Sequence, residues 1–295
     1  MHTSLERSDM LQRIKAKDTA SLVLLDGATG TSLWEKTENK VPVWRYNLED
    51  PAIVVQVHRE MAEAGAQILL ANTFGINRMA LQKSEHDVPS AVRAGVRLCQ
   101  EAAGDKCLVA LSSGPLLGLM DPYGDITEDE AEELYDEIFD AGMQEKPDLI
   151  YLETFIDLEM LKIAACCARK HDVPLFCTMS FEKVGKTMMG NSVADMVEGL
   201  AASQPDAIGL NCSLGPDLAL PVLRQFRQHT DLPLIFKPNA GRTTLVDGKS
   251  VTELDPDHFV EDVLPAIDAG ITYLGGCCGA DASYIRKLRL ALQAL

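Results

Sequence analysis

The sequence has no apolar run long enough to cross a membrane. Its longest, "SLVLLDG" (21–27) and "AQILLAN" (66–72), stop far short of the roughly 20 residues a spanning helix needs. No apolar signal core opens the chain either. "MHTSLERSDMLQRIKAKD" mixes both charge signs, which implies a cytoplasmic location. Basic residues are scarce, with 27 Lys and Arg against 44 Asp and Glu and a formal net charge of −17. That balance argues against nucleic acid, whose binding is driven by neutralising phosphates. Ser/Gly linkers, low-complexity tracts and blocks of like charge are also missing. Residues 1–295 therefore read as one domain. Aromatics make up only 5%, but a hydrophobic content of 46% is enough to fill a core.

What is present is a repeating pattern. Short apolar runs fall at 21–25, 66–71, 107–111, 148–152, 174–179, 206–210, 232–237 and 270–274. Each has the doubly apolar character of a strand covered on both faces. Helical patterns lie between them. "EDPAIVVQVHREMAEAG" offers Asp50 as N-cap, Pro51 at the first helical position and Gly65 past the end. "TEDEAEELYDEIFDAG" opens on Thr127 with Glu130 three residues on, the spacing of a capping box. "DPDHFVEDVLPAIDAG" reads as a helix ending at Gly270. Eight strands alternating with helices predict an α/β fold of (β/α)8 TIM-barrel type. No G-x-G-x-x-G follows the first strand, which disfavours an open dinucleotide-binding sheet. A preceding helix, about 5–17, is expected to cover the bottom of the barrel.

Barrel chemistry sits at the C-terminal ends of the strands. Those positions carry Asp26-Gly27-Ala28-Thr29-Gly30-Thr31, Asn72-Thr73, Ser112-Ser113, Glu153-Thr154, Asn211-Cys212, Asn239 and Cys277-Cys278. Two of the eight cysteines, Cys277 and Cys278, therefore lie at the mouth, and Cys212 ends a strand two places round the ring. Gly275, Gly276 and Gly279 give the backbone freedom to turn adjacent thiols toward one centre. Three convergent thiolates without a fourth cysteine make an open zinc site, one ion per chain, with a position free for water or substrate. The competing reading is buried core cysteine. A second adjacent pair, Cys166–Cys167, lies in a helical pattern where successive side chains diverge by about 100°. It reads as small core residues, like Cys99, Cys107 and Cys177.

Three thiolates against one Zn2+ leave a net charge of −1. Such a centre is a poor generator of hydroxide but suits a fourth sulfur. Coordination would deprotonate a substrate thiol, and the surplus negative charge would keep it nucleophilic. The reaction suggested is attack by a thiolate on an electrophilic carbon. The backbone amides around Gly27 and Gly30 are suited to hold a carboxylate. Asp26 or Glu153 could take an ammonium group. Asp26 could equally be a helix N-cap, and Glu153 half of a structural ion pair.

In order along the chain, "LLDGATGT", "ANTFG", "YLETF", "GLNCSLGP", "KPNAG" and "GGCCG" resemble the homocysteine S-methyltransferase family, from about residue 20 to residue 290. The resemblance implies a zinc (β/α)8 barrel with Cys212, Cys277 and Cys278 as metal ligands and homocysteine sulfur in the fourth position. It points to Glu153 for the ammonium group. It also implies that Asn239 can take the fourth position when substrate is absent. Asp26, Gly27, Thr29, Gly30, Thr31, Asn72 and Thr73 complete the expected substrate-lining set. "LSSGP" after the third strand departs from the family's common turn, on the donor side of the pocket.

Donors compatible with this chemistry are a methylcorrinoid, S-methylmethionine and betaine. Betaine needs aromatic rings around a quaternary ammonium. Trp44 is one candidate ring, but "NTFGINRM" supplies no tyrosine to join it. No D-x-H-x-x-G corrinoid-binding motif occurs, so a methylcobalamin donor would arrive free or on a separate corrinoid protein. The sequence reading is a methyltransferase of methionine biosynthesis acting on homocysteine with a methylcorrinoid donor. S-methylmethionine or betaine as donor, and another thiol as acceptor, are the alternatives.

Overall fold

The computed structural model describes residues 7–38, 40–246 and 249–295. Eight parallel strands fall on the eight apolar runs: β1 (Val23–Leu24), β2 (Ile68–Leu70), β3 (Leu108–Ser113), β4 (Leu149–Phe155), β5 (Leu175–Met179), β6 (Ala207–Asn211), β7 (Leu234–Lys237) and β10 (Ile271–Leu274). They pair in the order β1-β10-β7-β6-β5-β4-β3-β2, and a parallel bridge between Leu25 and Ile68 closes the ring. The fold is the expected (β/α)8 barrel.

Alternation along the strands sends one set of side chains inward. Val23, Ile68, Leu108, Leu149, Phe176 and Tyr273 belong to a buried interior cluster. Phe176 and Tyr273 meet across it with ring centroids 4.5 Å apart. Met10 and Ile14 join this cluster from the N-terminal helix Arg7–Lys15, which therefore plugs the bottom as expected. Arg7 fastens the plug through an ion pair of 2.8 Å with Asp148. Among the described residues, no helix is long and apolar enough to cross a membrane.

Local signals decide most helix ends. Thr127 and Glu130 form both bonds of the capping box on helix Glu128–Met143. Helix Pro51–Ala64 has the expected bounds, and Gly65 ends it at φ +114°. Its Asp50, however, makes no side-chain cap, because its backbone (φ −145°, ψ 66°) departs from the usual N-cap geometry. The α-helix expected to reach Gly270 stops at Val263 and continues as a 3-10 turn, Leu264–Ala266. Pro265 has no N–H to continue the ladder.

One element has no counterpart among the expected strands. After β7 the chain forms an antiparallel hairpin, β8 (Thr243–Val246) with β9 (Lys249–Thr252). Asp-Gly at 247–248, between two alternating runs, is the sequence signal for it.

His58, on the inner face of helix Pro51–Ala64, is wholly buried and has no partner at either ring nitrogen. Burial pushes its pKa down to about 4, against the opposing pull of Asp26. Between pH 6.5 and 4 the unfolded chain thus binds a proton that the folded chain refuses. Stability contributed by this residue is complete above pH 6.5 and falls as pH drops toward 4, by about 3 kcal/mol in all. Urea titrations across this range should show a shallower pH dependence for His58→Leu than for the parent.

Candidate active site

The mouth is built on the ends of β1, β4, β6, β7 and β10. Cys212 follows β6 in the left-handed region at φ +61°, with Ser213 after it at φ +58°. Its N–H donates to the carbonyl of Lys237 at 3.1 Å. Cys277 and Cys278 follow β10, and the Cys277 N–H donates to Pro238 O at 2.8 Å. Both segments are thus pinned to the end of β7, which lies between β6 and β10. Gly279, at φ +83°, turns the chain directly after the thiol pair.

The three sulfurs converge. Cys212 Sγ and Cys278 Sγ are 3.7 Å apart, and all three lie within 4.8 Å of one another. Zn–S bonds of about 2.3 Å in a tetrahedron place sulfurs about 3.8 Å apart, so the trio fits zinc with little adjustment. For Cys212 and Cys278, one neighbouring thiol favours ionisation, but the other neighbour and burial outweigh it and push both up to about 12. Cys277 is pushed up as well, by Cys212 foremost. Thiols held this way need a cation to become thiolates. Nearby, Asn239 Oδ1 is buried with no hydrogen-bond partner, a polar atom left for a ligand.

Another trio, Glu132, Asp136 and Cys167, also has its ligand atoms within 4.8 Å. Lys170 already occupies it, donating to Glu132 at 2.8 Å and to Asp136 at 2.7 Å. Cys167 is buried on helix Leu158–Ala168, while Cys166 is exposed rather than a core residue. Successive helical positions face apart, so the pair divides between core and solvent. Cys99, Cys107 and Cys177 are buried as expected.

Asp26 is completely buried, with both oxygens engaged. Oδ1 pairs with Lys237 Nζ at 2.8 Å, and Oδ2 accepts the N–H of Leu70 at 2.7 Å. It does not cap the following helix, Thr29–Lys36, whose N-cap position is held by Ala28. Ala28 has no side-chain acceptor for the first amides, those of Thr29, Gly30 and Thr31. Gly27 lies so close to the carbonyl of Ala280 that no side chain would fit there.

Glu153 stands half-buried in β4 and accepts a hydrogen bond of 2.5 Å from Ser112 Oγ. Burial pushes its carboxyl up, against the opposing influence of Lys237 and Ser112. Thr73 ties in from β2, its hydroxyl donating to Ser112 O at 2.6 Å. The Asn72 amide instead donates to Val43 O and Asn47 Oδ1, both at 2.8 Å, and so braces the segment after the first helix of the barrel. Trp44 is buried in that segment, edge-on to His86 at 6.1 Å.

The sequence reading missed Lys237. Burial pulls its pKa down, but Asp26 and Glu153 outweigh that and hold the ammonium charged. A lysine ending an otherwise apolar strand, "LPLIFK", is the signal that marks it.

The family model described as homocysteine S-methyltransferase matches residues 23–292. The chain belongs to the homocysteine S-methyltransferase family. Among curated relatives, methionine synthase of Mycobacterium leprae is 28% identical over 295 aligned residues, covering 90% of this chain and 24% of the relative. Methionine synthase of Mycobacterium tuberculosis is 28% identical over 260, covering 82% and 22%. The chain thus spans about a quarter of the length of these relatives. Among solved structures, the metallated form of the homocysteine methyltransferase MmuM from Escherichia coli superposes with a TM-score of 0.78. It is 20% identical, with 94% of this chain and 98% of that one covered.

If the trio is the metal centre, replacing Cys212, Cys277 or Cys278 by Ala should each abolish zinc retention. Cys166→Ala and Cys167→Ala should retain a full equivalent. Metal analysis of the purified proteins decides it, and full occupancy in Cys278→Ala would refute the assignment.

Proposed function

We propose that the protein is a zinc-dependent methyltransferase that moves a methyl group to the thiol of homocysteine, giving methionine. The observation that carries this reading is the convergence of three thiols from β6 and β10 at the mouth of a barrel of this family. Cys212, Cys277 and Cys278 would hold one zinc ion per chain. When bound, the ion would supply the positive charge that ionises a substrate thiol near neutral pH. Asn239, whose amide oxygen lacks a partner, is assigned to the open position in the absence of substrate.

The remaining residues handle the amino-acid end. Both oxygens of Asp26 are already bonded, so the ammonium group falls to Glu153. A half-buried carboxylate pushed toward protonation gains from a cation brought to it. The uncapped amides of Thr29, Gly30 and Thr31, with Gly27 beside them, suit the substrate carboxylate. Thr73 sets Ser112, which in turn sets Glu153. Asn72 shapes the pocket wall through residues 43–47. Once held, the substrate sulfur forms its bond to the methyl carbon as the bond to the leaving group breaks, and the thiol proton passes to solvent.

The donor we assign is a methylcorrinoid, free or on a separate corrinoid protein. Two features support this choice. Trp44 packs against His86 in the wall, which takes this candidate ring away from a quaternary ammonium. Phe74, Leu117, Tyr123, Val184 and Met188, on the loops after β2, β3 and β5, expose apolar surface around the mouth. Exposed apolar surface of this kind suits a macromolecular donor more than a small cation.

Glu153→Gln should keep its zinc and raise the homocysteine KM ten- to hundredfold, the loss of a charge-assisted bond of about 1.5–3 kcal/mol. An unchanged KM would remove Glu153 from the substrate site. A donor panel tests the rest. Methyl transfer from free methylcobalamin should be slow, a corrinoid protein should accelerate it, and betaine should be inert. Rapid turnover with S-methylmethionine, and none with any methylcorrinoid, would overturn the donor while leaving the thiol chemistry intact.

A further inference from the structure

Asn211 closes β6, immediately before Cys212, and is completely buried. A primary amide has two N–H donors and two carbonyl lone pairs. All four are used here. Nδ2 donates to Thr154 Oγ1 at 2.7 Å and to Cys277 Sγ at 3.8 Å. Oδ1 accepts from the backbone N–H of Thr154 at 2.8 Å and from Thr178 Oγ1 at 2.7 Å. Turning the amide over would set a donor against the Thr154 N–H, so its orientation is fixed.

The partner in two of these contacts is unusual. Thr154 sits at φ +66°, a conformation that β-branched residues rarely adopt. The register of β4 against β5 shifts between Leu152 and Phe155, and Glu153 lies within that irregularity. Both polar groups of Thr154 that could relax the strain, its N–H and its hydroxyl, are bonded to Asn211. One side chain therefore grips the turn that aims Glu153 and a sulfur of the thiol trio together.

We propose that Asn211 is the positioning residue that makes the two halves of the site one unit. Its N–H draws electron density from Cys277 Sγ, and its grip on Thr154 fixes the direction of Glu153. The proposal rests on the reading of Cys277 as a metal ligand and Glu153 as the ammonium acceptor. A hydrogen bond to one protein thiolate makes that sulfur a weaker nucleophile than a substrate sulfur lacking such a donor. Groups that hold a metal ligand in place commonly change affinity or activity 10–100-fold when removed.

The test uses cobalt(II)-loaded protein and needs no methyl donor. The near-ultraviolet sulfur-to-metal charge-transfer band reports the thiolates, and the visible ligand-field bands report homocysteine binding. Asn211→Ala should move the charge-transfer band to lower energy and weaken homocysteine binding about tenfold or more. Thr154→Gly relieves the backbone strain, which offsets the loss of the hydroxyl that accepts from Asn211 Nδ2, and should still fold. It should leave the charge-transfer band in place yet also weaken homocysteine. A band and an affinity both unchanged in Asn211→Ala would overturn the proposal. Should that variant fail to fold, an unchanged homocysteine affinity in Thr154→Gly would do the same. A parent protein with no charge-transfer band, or no response to homocysteine, would instead reject the underlying reading of the site.

Discussion

A single buried carboxylate holds the barrel together at its thinnest seam. β1 contributes only two residues to the sheet, and its link to β2 is an isolated bridge. Asp26 makes up the deficit. Its backbone N–H bonds Ile68 O at 3.2 Å, and its side chain takes the N–H of Leu70, which would otherwise lack an acceptor on β1. The other carboxylate oxygen reaches Lys237 on β7. Burying this ion pair costs several kcal/mol per charge in desolvation, so its value lies in fixing geometry more than in adding stability. Lys237 is also the residue whose carbonyl receives the Cys212 N–H, and the next carbonyl receives the Cys277 N–H. The thiol trio therefore inherits its position from the same clamp that closes the ring.

The sequence made the strands legible because their signal is local. Four to six apolar residues covered on both faces announce themselves without knowledge of their partners. The Thr127–Glu130 cap was readable for the same reason, since all of its atoms lie within one turn. The thiol trio needed one further step, the rule that barrel chemistry gathers at the strand ends. Asp26 shows where such reading runs out. Its true partner is 211 residues away, and nothing in "LLDGATGT" distinguishes a clamp from a cap or a substrate ligand. Asp50 fails in the opposite sense, because a residue with the right identity and position lacks the backbone angles to cap. Cys166 could not be separated from Cys167 by composition, only by the face of the helix each occupies.

Charge is distributed with some economy around the mouth. Glu153 bears on the sulfurs of Cys277 and Cys278, and Lys237 is the cation set among Asp26, Glu153 and Cys277. Such an arrangement repels anions and has an unmet demand for positive charge. A divalent metal and an amino acid's ammonium group are the two species the proposed reaction brings in. Asn239 Oδ1, a polar atom without a partner, lies just past the end of β7.

Closure of the ring by β1 against β10, Val23 opposite Tyr273, has a consequence for how the molecule is made. The first strand of the barrel must wait for the eighth before it gains its ladder partner on that side. The plug formed by Met10 and Ile14 waits as well, since its interior contacts extend to Tyr273. Such long-range pairing places this chain among slowly folding topologies. Cys277 and Cys278 follow that last strand, so the three sulfurs cannot meet until the circle is complete. The assembly of the centre is in this sense a clock, marking the end of folding.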